Sequence, residues 1–282
     1  MTPDLTERYA DIWKIPDLAE PRYSQSLERG LAILECFTPE QPLKGIADIA
    51  DELGMSRAST HRYMSTLLAL GYLEQGRRRK YQLTLRVTRL GLSTLSATGL
   101  VEQARPELVE LSRRAGFAAG LVVLDGDEAL YLERVHGLRR PTATGGDAPM
   151  LGESLPAYCL AAGKALLAWA PAPERRELLA QASLARRGPN TITSKAALRS
   201  ELDAIREHGF AVEDEELVQG RVAIAVPLHD HTSDPPAAID MSAGTGAIGI
   251  EELADALGPH LVATADRISA RLGYRRETNS RA

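Results

Sequence analysis

Apolar residues near the N-terminus recur with the spacing of helices. A first stripe runs from Leu27 to Leu34, begins after a cap at Ser26 and ends before Pro39. A second, shorter stripe covers residues 46–53 and stops at a glycine, and a third follows at once. The spacing therefore predicts two helices, a glycine-containing turn and a third helix, which is the order of a helix-turn-helix.

The third helix, residues 54–70, carries different chemistry on its two faces. Ser56 is a natural N-cap, and Gly71 follows the last apolar residue, where helices commonly end. Thr60 and Met64 fall on an apolar face. Small polar and basic side chains fall on the other face, as in helices that enter the DNA major groove. The alternative is an ordinary amphipathic surface helix.

A two-stranded hairpin is predicted directly after this helix. Tyr72 and Tyr81 lie in short apolar runs on either side of a turn that begins at Gly76. The tip of the turn is too charged to be buried, and a hairpin in this position is a wing. Helix order, wing and local charge together favour a winged helix-turn-helix over an isolated surface helix. Its predicted DNA contacts are Ser56, Arg57, Ser59, Thr60, His61, Arg62, Arg77, Arg78, Arg79 and Lys80.

The pattern next predicts two consecutive helices. Residues 84–100 indicate a linker helix that ends near Gly99. The helical pattern continues to Ala115, but Pro106 is unfavourable inside a helix. We therefore expect the second helix to begin near residues 105–106, with the proline in its first turn.

Beyond Phe117 the pattern changes to strands separated by turns. A turn at Asp125–Gly126 joins two apolar runs and predicts a hairpin, and a glycine- and proline-rich loop at 141–149 could close over a ligand. Further helices are expected at 155–170, 174–181, 194–208 and 251–272, and further strands at 210–214, 222–228 and 237–242. This order predicts an α+β domain with helices packed on an antiparallel sheet.

Length and composition fit a chain of two domains. The 282 residues are 44% hydrophobic and 25% charged, as in a soluble globular protein. The longest apolar run, residues 157–170, is shorter than the ~18 residues of a membrane span, and the N-terminus lacks a secretory signal pattern. The predicted divisions are a tail at 1–23, a DNA-binding domain at 24–84, a linker helix at 85–100, a second domain at 101–275 and a tail at 276–282.

The two cysteines, Cys36 and Cys159, fall in different predicted domains within helix-like segments. Buried free thiols are therefore favoured over a disulfide. This usage indicates a reducing compartment, and the predicted location is the cytoplasm.

Charge is distributed unevenly along the chain. The net charge of −5 alone argues against nucleic acid binding. Between Gly54 and Leu90, however, eight basic residues accompany a single acidic residue, Glu74. This concentration of positive charge is typical of a surface that binds phosphates.

Three polar clusters in the second domain are candidates for chemistry. The carboxylates at 213–216 could act as acid or base but are expected to form a solvated turn. The His- and Asp-rich stretch 229–234 could hold a metal but is expected to be a loop, and Lys164 is expected at the surface. The sequence contains no nucleophile elbow, phosphate-binding loop, dinucleotide fingerprint or zinc spacing. We expect a ligand pocket without metal, cofactor or catalysis; the alternative is a metal- or acid/base-dependent enzyme that uses Glu213, Asp214 and His229.

Several blocks of the sequence resemble, in order, the IclR family of bacterial transcriptional regulators. They are SQSLERGLAIL, LKGIADIADELGMSRASTHRYMSTLLALGYLE, LVVLDGDEALYLERV, LPAYCLAAGKALLA and GFAVEDEELVQGRVAIAVPL, and the similarity extends from Ser24 to Ile268. The resemblance implies a winged helix-turn-helix, a linker helix and a GAF/PAS-like effector-binding domain. It also implies homodimers, often paired as tetramers, on palindromic double-stranded DNA.

The resemblance further implies where a small-molecule effector binds. The corresponding residues are Ala161, Ala162, Glu213, Ala223, Asp240 and Ser242. Members that bind glyoxylate or pyruvate tend to have Cys in place of Ala223 and Ser in place of Asp240, so a small 2-oxo acid is disfavoured. The block GRRRKYQLTLRVTRLG is closer to a branch that responds to aromatic acids such as protocatechuate or 4-hydroxybenzoate. Arg134 or Arg139 could meet a ligand carboxylate, unless both are surface arginines.

Pattern, charge and resemblance together predict a DNA-binding transcriptional regulator whose operator affinity responds to a small carboxylic acid. The linker helix would transmit the response, because it joins the two domains. A structural DNA-binding protein without a ligand is a further alternative, which the size of the second domain disfavours.

Overall fold

A computed structural model describes residues 23–138, 149–231 and 236–274. The chain divides into two compact units, residues 1–97 and 98–282. The predicted tails lie outside the described residues apart from Tyr23, as do Arg139 and nearly all of the glycine- and proline-rich loop. No helix in the described part of the chain is long and apolar enough to cross a membrane.

The first unit contains the three predicted helices. They are α1 (Gln25–Glu35), α2 (Ile46–Glu52) and α3 (Arg57–Ala69). The predicted cap of α1 was wrong by two residues, because the side chain of Ser24 rather than Ser26 accepts the Leu27 N–H. The prediction for α3 is confirmed, since the Ser56 hydroxyl accepts the Ser59 N–H at 3.1 Å and Gly71 follows the helix with φ +76°.

The wing and its attachment complete this unit. Strands β1 (Leu73–Gln75) and β2 (Tyr81–Leu83) pair antiparallel, and Tyr81 also bridges to Lys44 in the segment before α2. Helix α4 (Leu85–Thr98) follows the wing. The core of the unit buries Ile33, Ile49, Met64, Leu73 and Tyr81, among others, so apolar side chains from helices and wing hold the two together.

The second unit begins with α5 (Leu100–Ala115), and here the expectation for Pro106 was wrong. The helix starts six residues earlier than the proline and contains it. Proline removes one N–H and therefore one hydrogen bond of the helix. Leu100, Ala104, Leu108 and Leu111 are all buried on one face, and this apolar stripe outweighs the local cost.

The remaining elements match the predicted order with one addition. They are β3 (Ala118–Asp125), β4 (Glu128–Val135), β5 (Ser154–Pro156), α6 (Ala161–Trp169), α7 (Ala172–Gln181), α8 (Lys195–His208), β6 (Ala211–Asp214), β7 (Arg221–Leu228), β8 (Ala237–Gly244) and α9 (Ile250–Arg271). The helix expected from residue 155 begins only at Ala161, because residues 154–159 form β5 and a short 3-10 turn.

The strands of the second unit form one antiparallel sheet in the order β5-β4-β3-β8-β7-β6. Helices cover both faces. Leu121, Ile224 and Ile239 pack with α5 and α9 on one face, while Tyr131 and Ala223 pack with α6 and α8 on the other. Alternate residues of each strand point to opposite faces, so every second position of β7 and β8 faces α6. We call this second side the α6 face.

Candidate functional sites

The basic face of α3 is open to solvent. Ser56, Arg57, His61 and Arg62 are exposed, and Ser59 is half-buried. Thr60 is a correction to the predicted contacts, because it is fully buried and its hydroxyl donates to the Ser56 carbonyl at 3.1 Å. Its place on the apolar stripe prevents it from reaching DNA.

The tip of the wing is also exposed. Arg77, Arg78 and Arg79 form a 3-10 turn, and both Arg78 and Arg79 have φ +58°, a left-handed conformation that non-glycine residues adopt uncommonly. The three side chains are exposed to solvent. The turn therefore places three guanidinium groups at the end of the hairpin.

Lys80 differs from the three wing arginines. Its ammonium group lies 2.5 Å from Asp48 in α2, and this hydrogen bond lowers the pKa of Asp48. Asp48 also accepts the Gly45 N–H at 2.7 Å. Lys80 thus joins the wing to the start of α2 and has part of its charge neutralised.

A second polar group lies inside the second unit, on the α6 face of the sheet. Asp240 of β8 accepts hydrogen bonds from the Tyr131 hydroxyl and from Arg134 Nη1, both at 2.9 Å. Arg134 Nη2 also donates to the Ser242 hydroxyl at 2.5 Å. Arg134 and Asp240 are almost fully buried. Arg134 is therefore not a surface residue, and it is held by a carboxylate of the protein itself.

Arg221 of β7 forms the second half of this group. Its Nη1 donates to Glu213 Oε2, and its Nη2 lies 3.8 Å from Asp240 Oδ2. Burial lowers the pKa of Arg221, but Glu213, Tyr131 and Asp240 together raise it above its usual value. The guanidinium is therefore charged. We refer to Tyr131, Arg134, Glu213, Arg221, Asp240 and Ser242 as the buried polar cluster.

Strand register brings these residues together. Gly120 pairs with Arg134 on one side and with Asp240 on the other, and Ala223 pairs with both Glu213 and Ser242. A Cβ atom on Gly120 would lie 2.5 Å from Asp240 Oδ1 and 2.8 Å from Arg134 Nη1. Glycine is required there because the ion pair crosses directly above the strand.

Several polar atoms of the cluster lack a hydrogen-bond partner among the described residues. They are Arg134 Nε, Glu213 Oε1, Arg221 Nε and Arg221 Nη2. Buried polar groups are nearly always hydrogen-bonded, and each exception requires an explanation such as a ligand or an internal water. The three arginine nitrogens are donors, and Glu213 Oε1 is an acceptor.

The predicted effector residues occupy the same region. Glu213, Asp240 and Ser242 belong to the cluster, while Ala161 and Ala162 begin α6 and share a buried core with Tyr131 and Ala223. Sequence reasoning missed Tyr131 and Arg221. An arginine at the start of the otherwise apolar run VAIAVPL was the available signal, because a charged residue in a buried strand needs a partner.

Two expectations about exposed charges in this unit were wrong. Glu213 and Glu216 are buried rather than solvated, and Lys164 of α6 has no exposed area. The Lys164 ammonium contacts Glu216 at 2.5 Å and Glu201 at 3.2 Å. Burial raises the pKa of Glu216 to about 7 in spite of the opposing effect of Lys164. Lys164 therefore ties α6 to α8 and to the end of β6.

The last polar candidate from the sequence is the His- and Asp-rich stretch that begins at His229. The His229 backbone N–H donates to Ser269, and its ring packs near Trp169 and Tyr274. The described residues contain no group of three potential metal ligands. A groove of about 480 Å³ lies between α5 and α9, but none of the predicted effector residues lines it.

Family models match both units of the chain. The model of the IclR helix-turn-helix domain matches residues 26–77, and that of the bacterial transcriptional regulator IclR C-terminal matches residues 92–270. Together they bear out the α+β fold and the helix-turn-helix at the N-terminus.

Characterised relatives and solved structures agree with these matches. The chain is 34% identical over 232 residues to the regulator XynR of Escherichia coli, covering 82% of this chain and 90% of XynR. It is 33% identical to the Pca regulon regulatory protein of Pseudomonas putida, and the match covers 86% of this chain and 82% of that protein. Thermotoga maritima IclR has a TM-score of 0.68 at 28% identity, covering 89% of this chain and all of that one.

A further solved structure is an IclR homolog from Microbacterium hydrocarbonoxydans in complex with 4-hydroxybenzoate. It has a TM-score of 0.77 at 25% identity and covers 88% of this chain and 99% of that chain. The family models cover more than half of this chain, and several relatives exceed 30% identity over most of their length. The chain belongs to the IclR family of bacterial transcriptional regulators.

Proposed function

We propose that this protein binds a palindromic operator as a homodimer and that a small carboxylic acid, bound at the buried polar cluster, changes its operator affinity. Residues 24–84 would bind DNA, residues 85–100 would link the domains and residues 101–275 would bind the effector. The observation that carries this proposal is the buried polar cluster, because burying ionised groups is costly and such groups concentrate at functional sites. The protein would act in the cytoplasm and would not be an enzyme.

The exposed face of α3 supports the DNA-binding part of the proposal. Arg57, Ser59 and Arg62 would contact base edges or adjacent phosphates, with Ser56 and His61 at the margins of the contact. Arg77, Arg78 and Arg79 would contact the backbone. Lys80 would position the wing through Asp48 rather than contribute a full phosphate contact.

Exposed leucines in the first unit support a dimer. Leu27 and Leu31 of α1 are 64% and 50% exposed, and Leu85 and Leu92 of α4 are 86% and 53% exposed. These pairs are four and seven residues apart, so each lies on one face of its helix. A second copy of the chain that covered them would present two α3 helices, as a palindromic site requires.

The chemistry of the cluster supports an acid as the effector, and the relatives suggest an aromatic one. The buried guanidinium group of Arg221 has two adjacent nitrogens without a hydrogen-bond partner among the described residues, and it is suited to a carboxylate. One relative is named for the Pca regulon, and one solved homolog is a complex with 4-hydroxybenzoate. An aromatic hydroxy acid is therefore the first class of compound to test on this chain.

The test is a thermal-shift screen of aromatic and 2-oxo acids, followed by operator binding. A ligand that binds only the folded state raises the unfolding temperature as its occupancy rises. We expect at least one aromatic acid to raise the unfolding temperature and to change the affinity for an operator selected from random DNA. Acids that bind without changing DNA affinity would contradict the regulatory part of the proposal. A reaction product detected with any of these acids would favour the enzymatic alternative.

A further inference from the structure

Arg221 presents an unused edge of its guanidinium group inside the protein. Nη1 donates to Glu213, whereas Nε and Nη2 have no hydrogen-bond partner among the described residues. These two nitrogens form the side of the guanidinium that binds a carboxylate through two parallel N–H···O bonds. The side chain is 3% exposed, so the edge is unavailable to bulk solvent.

The neighbouring carboxylates are not equally available. Asp240 already accepts from Tyr131 and Arg134, and it lies within ion-pair distance of Arg221. Its oxygens are therefore used to orient the two arginines. Glu213 accepts from Arg221 with one oxygen, while its other oxygen, Oε1, has no partner among the described residues. Glu213 can thus accept one further hydrogen bond.

The charges of the cluster restrict the ligand. Arg134 and Arg221 are balanced by Asp240 and Glu213, so a ligand carboxylate gains an Arg221 edge but also adds a negative charge near two carboxylates. A ligand hydroxyl that donates to Glu213 Oε1 offsets that repulsion. A keto oxygen or an unsubstituted carbon cannot donate, and would leave the buried acceptor unsatisfied.

We propose that Arg221 is the carboxylate anchor of the effector site, that Glu213 selects for a hydroxyl on the ligand, and that Asp240 orients the arginines without contacting the ligand. The effector class is then a hydroxylated carboxylic acid rather than a 2-oxo acid or an unsubstituted acid. This inference rests on the proposed function, since it assigns roles within the same site. An internal water bound at the Arg221 edge is the competing explanation of the unpartnered atoms.

The experiment uses two pairs of acids that differ in hydroxyl content, 4-hydroxybenzoate with benzoate and glycerate with propanoate. Binding to the full-length protein is measured by calorimetry. We expect the hydroxylated member of at least one pair to bind at least ten-fold more tightly, because a site that hydrogen-bonds a hydroxyl rejects the analogue without it. We expect the unsubstituted acid to bind Glu213→Gln more tightly than it binds the original protein. We also expect the difference in affinity between the hydroxylated and the unsubstituted acid to be smaller in this variant.

Arg221→Met alone leaves Glu213 buried without a counter-ion and is prone to misfold. The Arg221→Met/Glu213→Gln double variant removes both charges and keeps the cluster balanced. We expect it to bind each acid at least ten-fold more weakly than Glu213→Gln does. Arg113→Met/Glu110→Gln, which removes the exposed pairs that Glu110 forms with Arg113 and Arg114 of α5, is the matched control and should leave binding unchanged.

Three outcomes would overturn the inference. The original protein could bind both members of each pair equally, the double variant could retain the affinity of Glu213→Gln, or none of the four acids could bind. Retained affinity would assign the Arg221 edge to an internal water. The proposed function has a separate readout, because an acid that changes operator affinity supports it even if Arg221 makes no contact.

Discussion

The two units of this protein use charged residues in opposite ways. In the first unit, Arg57, Arg62 and the wing arginines are exposed to solvent, and no ion pair with a carboxylate is seen for them among the described residues. In the second, Arg134 and Arg221 are buried and bound to Asp240 and Glu213. Exposed cations suit a polyanion that arrives from solvent, whereas buried pairs suit a small ligand that rearranges hydrogen bonds. The first interaction should depend strongly on salt and the second weakly.

The largest effect expected from this contrast is on stability. Arg221→Met should lower the free energy of unfolding by ~3–5 kcal/mol, because it leaves the Glu213 carboxylate buried without its partner. Adding Glu213→Gln should restore most of that loss. Urea denaturation followed by circular dichroism measures both.

The exposed pair Arg113–Glu110 provides the control for that experiment. Arg113→Met should leave the free energy of unfolding nearly unchanged, because solvent screens the pair. If Arg221→Met lowered the free energy of unfolding as little as Arg113→Met does, the second unit would not depend on its buried charges, and the difference drawn between the two units would be wrong.

The wing is expected to show the next largest effect, on DNA affinity. Replacing Arg77, Arg78 and Arg79 by alanine should weaken operator binding on the order of ten-fold or more and make its salt dependence shallower by ~2–3 units of slope. Fluorescence anisotropy at several salt concentrations measures both quantities. Arg113→Ala/Arg114→Ala, which removes exposed arginines of the second unit, should leave the slope unchanged. An unchanged slope in the wing variant would rule out the phosphate contacts.

The sequence predicted the first unit better than the second. Local signals define its helices, such as the Ser56 cap, the Gly71 stop and the charged turn between apolar strands. Even there, Thr60 was assigned both to the apolar stripe and to DNA, and the structure leaves only the first role. Short-range periodicity therefore predicts the helices and strands, but it does not predict the surroundings of every side chain on them.

The charged residues of the second unit were misjudged for a physical reason. Four consecutive acidic residues and a lysine in a helix are usually solvated. Several of the charged residues of this unit have partners that are distant in sequence. Arg134 meets Asp240 across 106 residues, and Lys164 meets Glu216 across 52. Strand order in the sheet brings Arg134 to Asp240, and the packing of α6 against the end of β6 brings Lys164 to Glu216. The family resemblance singled out Glu213 and Asp240 as predicted effector residues, but it did not indicate that Arg221 lies beside both of them.

A pH-dependent effect is expected from the buried Glu216. Its usual pKa of 4.5 is raised to about 7 in the folded protein, mainly by burial. Between these values the folded state binds more protons at Glu216 than the unfolded state does, so the contribution of Glu216 to stability is greatest below pH 4.5 and falls as pH rises through 7. We expect the original protein to lose on the order of 1–3 kcal/mol over this window relative to Glu216→Gln. Urea midpoints at pH 5 and pH 7.5 test this, and parallel losses in both proteins would refute it.

Lys80 should give the smallest effect. Lys80→Ala should cost less than ~1 kcal/mol of stability, because its pair with Asp48 is partly exposed. It should also reduce the salt slope by less than Arg78→Ala does. A reduction equal to that of a wing arginine would mean that Lys80 leaves Asp48 and contacts a phosphate when DNA binds.

The central claim is that a ligand at the buried cluster controls DNA binding by the exposed helix. The direct test is operator affinity with and without 4-hydroxybenzoate, measured for the original protein and for Arg221→Met/Glu213→Gln. We expect the acid to change the operator Kd of the original protein by about five-fold or more, as coupled sites typically do. The double variant should bind the operator with the same affinity whether or not the acid is present. A shift of equal size in both proteins would contradict the claim, because the effector would then act from another site.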